Sequence, residues 1–308
     1  MKGPLFYAKI LLFGEYGIIK DSKGLAIPYN AYRGALKISE NLSGKSLESN
    51  ANLERFYTYL SALNTNLVSF DLLAFKKDIQ NGMYFDSSIP QGYGVGSSGA
   101  LVASIYDEYA ADKITVLENL TRDKLLNLKA VFAIMESFFH GKSSGLDPLN
   151  SYLSLPILIN SKDSIEPAGI PSQKEGKGAV FLLDSEQIGE TEPMVNIFMN
   201  KMKNEGFRKM ISGEFSTTTD ACIEDFLQGN VKSLFGNVKS LSKIVLTNFK
   251  PMIPDAFHKV WEKGISTNEY YLKLCGSGGG GYILGFTEDF VKAQKSLKDY
   301  KLELVYRF

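Results

Sequence analysis

Apolar positions along the chain follow two rhythms, a three-to-four spacing and short continuous or alternating runs, so helices and strands interleave. Residues 8–13 form an apolar run around one lysine and read as a buried strand, with Gly14 and Gly17 bracketing the turn behind it. Residues 24–28 read as its partner, residues 45–58 suit a helix, and residues 62–85 mix short β-rich pieces with a turn at Asn81-Gly82. Leu101, Val102, Ile105 and Tyr109 recur at three and four, predicting a helix that starts near Ser97 or Ser98. A second helix fits residues 125–139 and ends before His140-Gly141. Residues 159–178 are rich in Ser, Pro, Lys and Gly and hold no long periodic element. They read as a junction between two lobes, residues 1–175 and 176–308, or as a long surface loop. Beyond it come a strand at 179–183 and a helix at 193–202, capped by Thr191 and turning Met194, Val195, Phe198 and Met202 to a core. A strand at 282–286, a last helix capped by Thr287 and an alternating strand at 302–306 close the chain. The class is α/β or α+β, which periodicity does not separate.

Composition narrows the picture. The 308 residues are 44% hydrophobic and 22% charged, as expected for a folded globular protein with a sizeable core. Lys plus Arg equals Asp plus Glu, 34 each, which argues against a general nucleic-acid binder. No apolar run reaches membrane-spanning length and no secretory cleavage signal follows the start, so the expectation is a cytoplasmic protein without a membrane partner. Cys222 and Cys275 cannot build a disulfide framework, and with only His140 and His258 a nitrogen and sulfur metal site is poorly supplied. A hard cation held by oxygens stays open.

The segment with the most chemistry is residues 90–99, PQGYGVGSSG. Its glycines let the backbone bend tightly, so that several N–H groups converge where the next helix begins. The orphan N–H groups and positive end of that helix suit a polyphosphate, and a serine hydroxyl suits its magnesium ion. Taken alone, the turn is equally well read as a helix cap. It lacks the Gly-Lys-Ser/Thr ending of a Walker loop, and no acid-terminated second strand of a dinucleotide fold follows. A second tract at residues 276–281 puts five glycines and a serine in six positions, more than a tight turn needs.

Together these segments resemble the three motifs of the GHMP small-molecule kinase superfamily, most nearly its mevalonate kinases. Lys9-Ile10-Leu11-Leu12-Phe13-Gly14-Glu15 is similar to the first, residues 90–101 to the second and residues 273–281 to the third. Between the last two, Glu136 precedes His140-Gly141 and Ser144-Gly145-Leu146-Asp147, similar to the His-Gly-x-x-Ser-Gly-x-Asp stretch of mevalonate kinases. The resemblance implies a two-lobed α/β (α+β) GHMP kinase-like fold, with an N-terminal ribosomal-protein-S5-like lobe and a C-terminal ferredoxin-like lobe. It implies ATP and Mg2+ as cofactors and a small-molecule hydroxyl as acceptor, and it leaves a homodimer open. Nucleotide contacts would come from Pro90, Gly92, Gly94, Val95, Gly96, Ser97, Ser98, Gly99, Gly276, Ser277, Gly278 and Gly279. Ser98 and Glu136 would hold the metal, Asp147 would face the acceptor hydroxyl, and Lys9 would stand beside it. Glu15, Tyr16, His140, Ser144, Gly145 and Thr191 would border the acceptor. The implied reaction is phosphorylation of mevalonate to 5-phosphomevalonate; phosphomevalonate, a sugar, or a regulator without catalysis are the alternatives. Three positions depart from the pattern: Tyr16 stands where histidine is usual, Ser143 where proline is usual, and Gly99 where alanine is common.

Overall fold

The computed structural model describes residues 4–20, 22–115, 120–161 and 163–308. In chain order the elements are β1 (Phe6–Phe13), β2 (Gly24–Ile38), α1 (Lys45–Ala62), α2 (Leu72–Gln80), β3 (Met83–Ser87), α3 (Ser97–Tyr109), α4 (Arg122–His140) and α5 (Leu146–Leu153). They continue with β4 (Ile157–Ser161), β5 (Ser164–Pro167), β6 (Ala179–Asp184), α6 (Thr191–Lys201), α7 (Glu205–Met210), α8 (Ser216–Gln228) and α9 (Val231–Asn248). Last come α10 (His258–Thr267), β7 (Tyr271–Leu274), β8 (Tyr282–Thr287), α11 (Phe290–Ser296) and β9 (Leu302–Arg307). Helices thus mix with antiparallel sheet, and among the described residues no helix is long and apolar enough to cross a membrane.

Contacts divide the chain into two compact units, and β1 and β2 contribute residues to both. The first unit holds Met1–Lys9, Pro28–Pro90 and Gly96–Leu155. Its core is helical. Tyr106 of α3, Phe132 of α4 and Tyr152 of α5 meet edge to face, with ring centroids 5.0 to 5.6 Å apart. The later part of β2 pairs antiparallel with β3, from Gly34 opposite Ser87 to Ile38 opposite Met83. Asn50 of α1 fastens this edge by donating to the carbonyls of Ile79 and Met83.

The second unit holds Ile10–Ile27, Gln91–Val95 and Pro156–Phe308. Its four-stranded antiparallel sheet has the order β7-β8-β6-β9. Every residue of β7 and β8 is buried, so both faces of these strands are covered. Phe13 reaches this core and stacks on Phe286 at 5.4 Å. Of residues 159–178, expected as a junction, the first lie in β4 and 164–167 form β5, while 168–178 carry no regular element and in part lie along β9: Lys174 N–H donates to the Arg307 carbonyl and Tyr306 Oη to the Pro171 carbonyl.

Several local expectations change. Residues 72–80 are a helix, because Phe75 and Ile79, four apart, supply its buried face and Asp71 caps it by accepting from Ala74 N–H. Thr191 is the first residue of α6 and does not cap it; Glu190 precedes it without a side-chain cap bond, and Met194 and Val195 are half-buried while Phe198 is buried. Asp289, not Thr287, caps α11, accepting from Lys292 N–H, while Thr287 Oγ1 donates to the carbonyls of Glu269 and Asp289.

Candidate active site

The first unit brings Lys9, the start of α3, Glu136, His140 and Asp147 together. Gly96 caps α3 in a left-handed conformation (φ +79°), and among the described residues no side-chain cap hydrogen bond is made there. That end is the positive terminus of a helix of 13 residues, whose first N–H groups have no intrahelical acceptor. Gly99 in the same turn explains one departure of the sequence. A β-carbon there would stand 2.7 Å from the Asp147 carbonyl carbon and 3.0 Å from its Cβ. Glycine is what lets α3 and α5 approach so closely that Asp147 stands beside the loop.

Asp147 is the second residue of α5, and Lys9 Nζ lies 2.8 Å from its Oδ1. The lysine is buried, as an edge-strand lysine in solvent would not be. Glu136, on the inner side of α4, is 3% exposed. Ser98 Oγ donates to its Oε1 at 3.0 Å, and Ser143 Oγ donates to its Oε2. Burial, followed by the charge of Asp147, pushes the Glu136 carboxyl up to about 7, against the opposing pull of Ser143, Ser98 and Lys9. His140 Nε2 lies 3.1 Å from Ser98 Oγ; with the serine proton directed to Glu136, Nε2 is the donor. Desolvation lowers the His140 pKa, with the Asp147 charge opposing. Ser144 turns inward on its own loop, accepting from Leu146 N–H at 3.4 Å.

The second unit holds the remaining candidates. The middle of the 90–99 segment packs against the 276–281 tract, where a β-carbon on Gly281 would stand 2.4 Å from Tyr93 Cα and one on Gly276 3.1 Å from Gly94 Cα; Gly189 N–H also donates to the Gly92 carbonyl at 2.9 Å and Tyr282 N–H to the Tyr93 carbonyl at 3.3 Å. A β-carbon on Gly94 would meet the Cys275 carbonyl oxygen at 2.5 Å. Val95 is buried, Pro90 is half-buried at the edge of the first unit, and Thr191 is exposed, 3.4 Å from the Ser277 hydroxyl that donates to it.

Glu15, expected at the border of the acceptor, pairs with Lys273, both side chains buried. Sequence reading missed this role of Lys273. The signal was a lysine in an otherwise apolar strand, since a buried cation requires a partner. Tyr16 sits at φ +60°, unusual for a bulky side chain. Its ring stacks on Phe198 at 4.6 Å, and its hydroxyl donates to the Ser277 carbonyl at 2.7 Å. Burial, then the neighbouring Glu15 charge, raises its pKa, so the phenol stays protonated.

Among the described residues no cluster of three or more His, Cys, Asp or Glu could hold a metal by itself. Ser98 and Glu136 nonetheless offer adjacent oxygens, the donor type Mg2+ prefers when phosphate supplies further ligands. With Ser98 Oγ bonded to one Glu136 oxygen and Ser143 Oγ to the other, these oxygens gather in one cluster, a donor set that fits the ion.

A glycine-rich helix start beside a lysine–aspartate pair and a buried glutamate lies on the fold of the GHMP small-molecule kinases. No protein-family model matches the chain, and no curated protein matches it in sequence. Among solved structures, it is similar to a mevalonate kinase from L. major in complex with R-mevalonate, at 15% identity and a TM-score of 0.67, covering 100% of this chain and 96% of that one. It is also similar to Streptococcus pneumoniae phosphomevalonate kinase in complex with phosphomevalonate and AMPPNP, at 16% identity and a TM-score of 0.63, covering 98% and 99%. Lactococcus lactis galactokinase complexed with galactose matches at 12% identity and a TM-score of 0.62, covering 98% and 92%.

Proposed function

We propose that this chain is an ATP-dependent kinase that phosphorylates the hydroxyl of a small molecule, with mevalonate as the leading acceptor. The observation that carries the reading is the Lys9–Asp147 pair, held against the start of α3 where Ser98 meets Glu136. The acceptor assignment is supported by the spacing of Glu136, His140 and Asp147, similar to that of mevalonate kinases.

Phosphoryl transfer needs alignment and charge neutralisation more than covalent help. The N–H groups at the start of α3 would receive phosphate oxygens. Ser98 and Glu136 would hold Mg2+, which when bound offsets phosphate charge. Asp147 would accept a hydrogen bond from the acceptor hydroxyl and fix its direction. Full removal of an alcohol proton (pKa about 16) by a carboxylate (about 4) is uphill by about 16 kcal/mol, so the proton moves late, as the bond to phosphorus forms. Lys9 would stabilise the negative charge that develops beside it.

A second reading keeps the kinase and changes the acceptor to phosphomevalonate or a sugar. It is favoured by Tyr16, whose phenolic proton is already engaged by the Ser277 carbonyl. The test is an acceptor screen with purified protein and Mg-ATP, following ADP release and product mass for mevalonate, phosphomevalonate and galactose. Mevalonate-dependent ADP release is expected, and Asp147→Asn should cut it at least about 100-fold while affinity for a non-hydrolysable ATP analogue stays within about threefold. ADP release at the no-acceptor background with every acceptor would overturn the kinase reading; release with galactose alone would move the acceptor.

A further inference from the structure

Ser143 lies in the loop between α4 and α5, and its hydroxyl can both donate and accept a hydrogen bond. In this chain its hydroxyl does both. It donates to Glu136 Oε2, and it accepts the N–H of Gly145 at 3.0 Å. Gly145 is the N-cap of α5, without any side-chain cap of its own, and Asp147 follows two residues later. The loop at Gly145 also lies hard against α4: a β-carbon on Gly145 would stand 2.1 Å from the Lys129 carbonyl oxygen. One hydroxyl therefore ties the buried carboxylate of α4 to the helix start that carries the aspartate. The other carboxylate oxygen, Oε1, is held separately by Ser98.

We propose that Ser143 is a positioning residue that fixes Glu136 for metal binding and sets Asp147 relative to it. The proposal rests on the assignment of Glu136 as a metal-holding residue. Two features make the hydroxyl the active part. Glu136 is buried, so an oxygen that loses its donor has no water to replace it. The Gly145 N–H stands at a helix start, where an unmatched donor leaves the first turn free to shift.

The test uses the full chain with Mn2+ as the metal probe and a non-hydrolysable ATP analogue, so that binding is read without turnover. Free Mn2+ is followed by electron paramagnetic resonance for the wild type, Ser143→Ala, Ser143→Thr, Ser143→Pro and Glu136→Gln. Ser143→Ala is expected to weaken Mn2+ binding about tenfold and, in acceptor assays, to lower kcat about tenfold with the ATP KM within twofold. Ser143→Thr, which keeps the hydroxyl, should stay within about threefold of wild type, and Ser143→Pro should resemble Ser143→Ala. Rescue by proline would overturn the proposal, because loop stiffness would then replace the hydroxyl. Equal Mn2+ affinity in wild type and Ser143→Ala would also overturn it, leaving the role of Glu136 intact provided Glu136→Gln binds weakly. Undiminished Mn2+ binding by Glu136→Gln would sink both the metal assignment and the inference built on it. Melting curves for each variant identify any loss due to unfolding, and the threonine variant then decides the outcome.

Discussion

At the scale of single residues, the buried groups dictate the behaviour. Glu136 binds its proton more tightly in the folded chain than a carboxyl in water does, reaching about 7 from an ordinary value of 4.5. Between those values the folded state holds the proton that the unfolded state has released, so stability falls as pH rises through the window. The expected outcome is a melting temperature that declines from pH 4.5 to pH 7 by more in the wild type than in Glu136→Gln, measured without added metal. Added Mg2+ with an ATP analogue should shrink the difference, since a cation answers the buried charge. Glu15 and Lys273 make a second case. Lys273→Met alone leaves the Glu15 carboxylate buried without its lysine, a loss of about 3–5 kcal/mol. At about 2–4 °C per kcal/mol for a chain of this size, the melting temperature should fall by roughly 10 °C. Combining Lys273→Met with Glu15→Leu should recover much of that fall, which differential scanning calorimetry would show. Lys9, Glu136 and Asp147 stood out in the sequence only through the resemblance of the segments that carry them. Ser143 and Lys273 did not, because a loop serine and a strand lysine gain meaning only from the partner the fold supplies.

Among elements, the close approach of α3 and α5 is the sensitive contact. Gly99→Ala would place a methyl group against the backbone at Asp147 and Pro148, and backbone cannot move aside as a flexible side chain can. Alanine gains helix propensity worth up to about 1 kcal/mol, whereas overpacking costs about 1–3 kcal/mol, so the clash wins. The variant should melt a few degrees lower, and kcat should fall more than the ATP KM changes as Asp147 is displaced. A rise in both stability and kcat would refute this account. Helices α3 and α4 were readable from three-and-four spacing. Helix α2 was not, because the exposed Leu73 blurs the face that Phe75 and Ile79 define. Helix α5 was hidden by Pro148, which reads as a breaker yet sits in the first turn, where proline is tolerated.

For the whole molecule, the lobe boundary proposed at residue 175 falls inside a segment that serves the sheet of the second unit. Strand β9 ends the order β7-β8-β6-β9 and would offer an open edge. Residues 171–174 lie against its last residues, through the Tyr306 to Pro171 and Lys174 to Arg307 hydrogen bonds. Replacing residues 171–176 with a Gly/Ser linker should leave the helical core of the first unit in place while raising light scattering on heating, as the uncovered edge finds other chains. Unchanged scattering would mean that this cover is dispensable. The sequence showed the segment to be irregular, and its Pro, Lys and Gly content gave no hint that it docks.

The clasp between the 90–99 segment and the 276–281 tract also sets an order of events in folding. Gly92 takes its final shape against Gly189, 97 positions further along the chain, and Gly94 against Cys275, 181 positions further, pairings that come late because such long loops must close first. Helices α3 and α4 can form from neighbours alone, but the middle of the 90–99 turn waits for strand β8 to dock. In refolding, far-UV circular dichroism should therefore recover before a fluorescent ATP analogue binds, and the lag between the two signals measures the closing of that clasp.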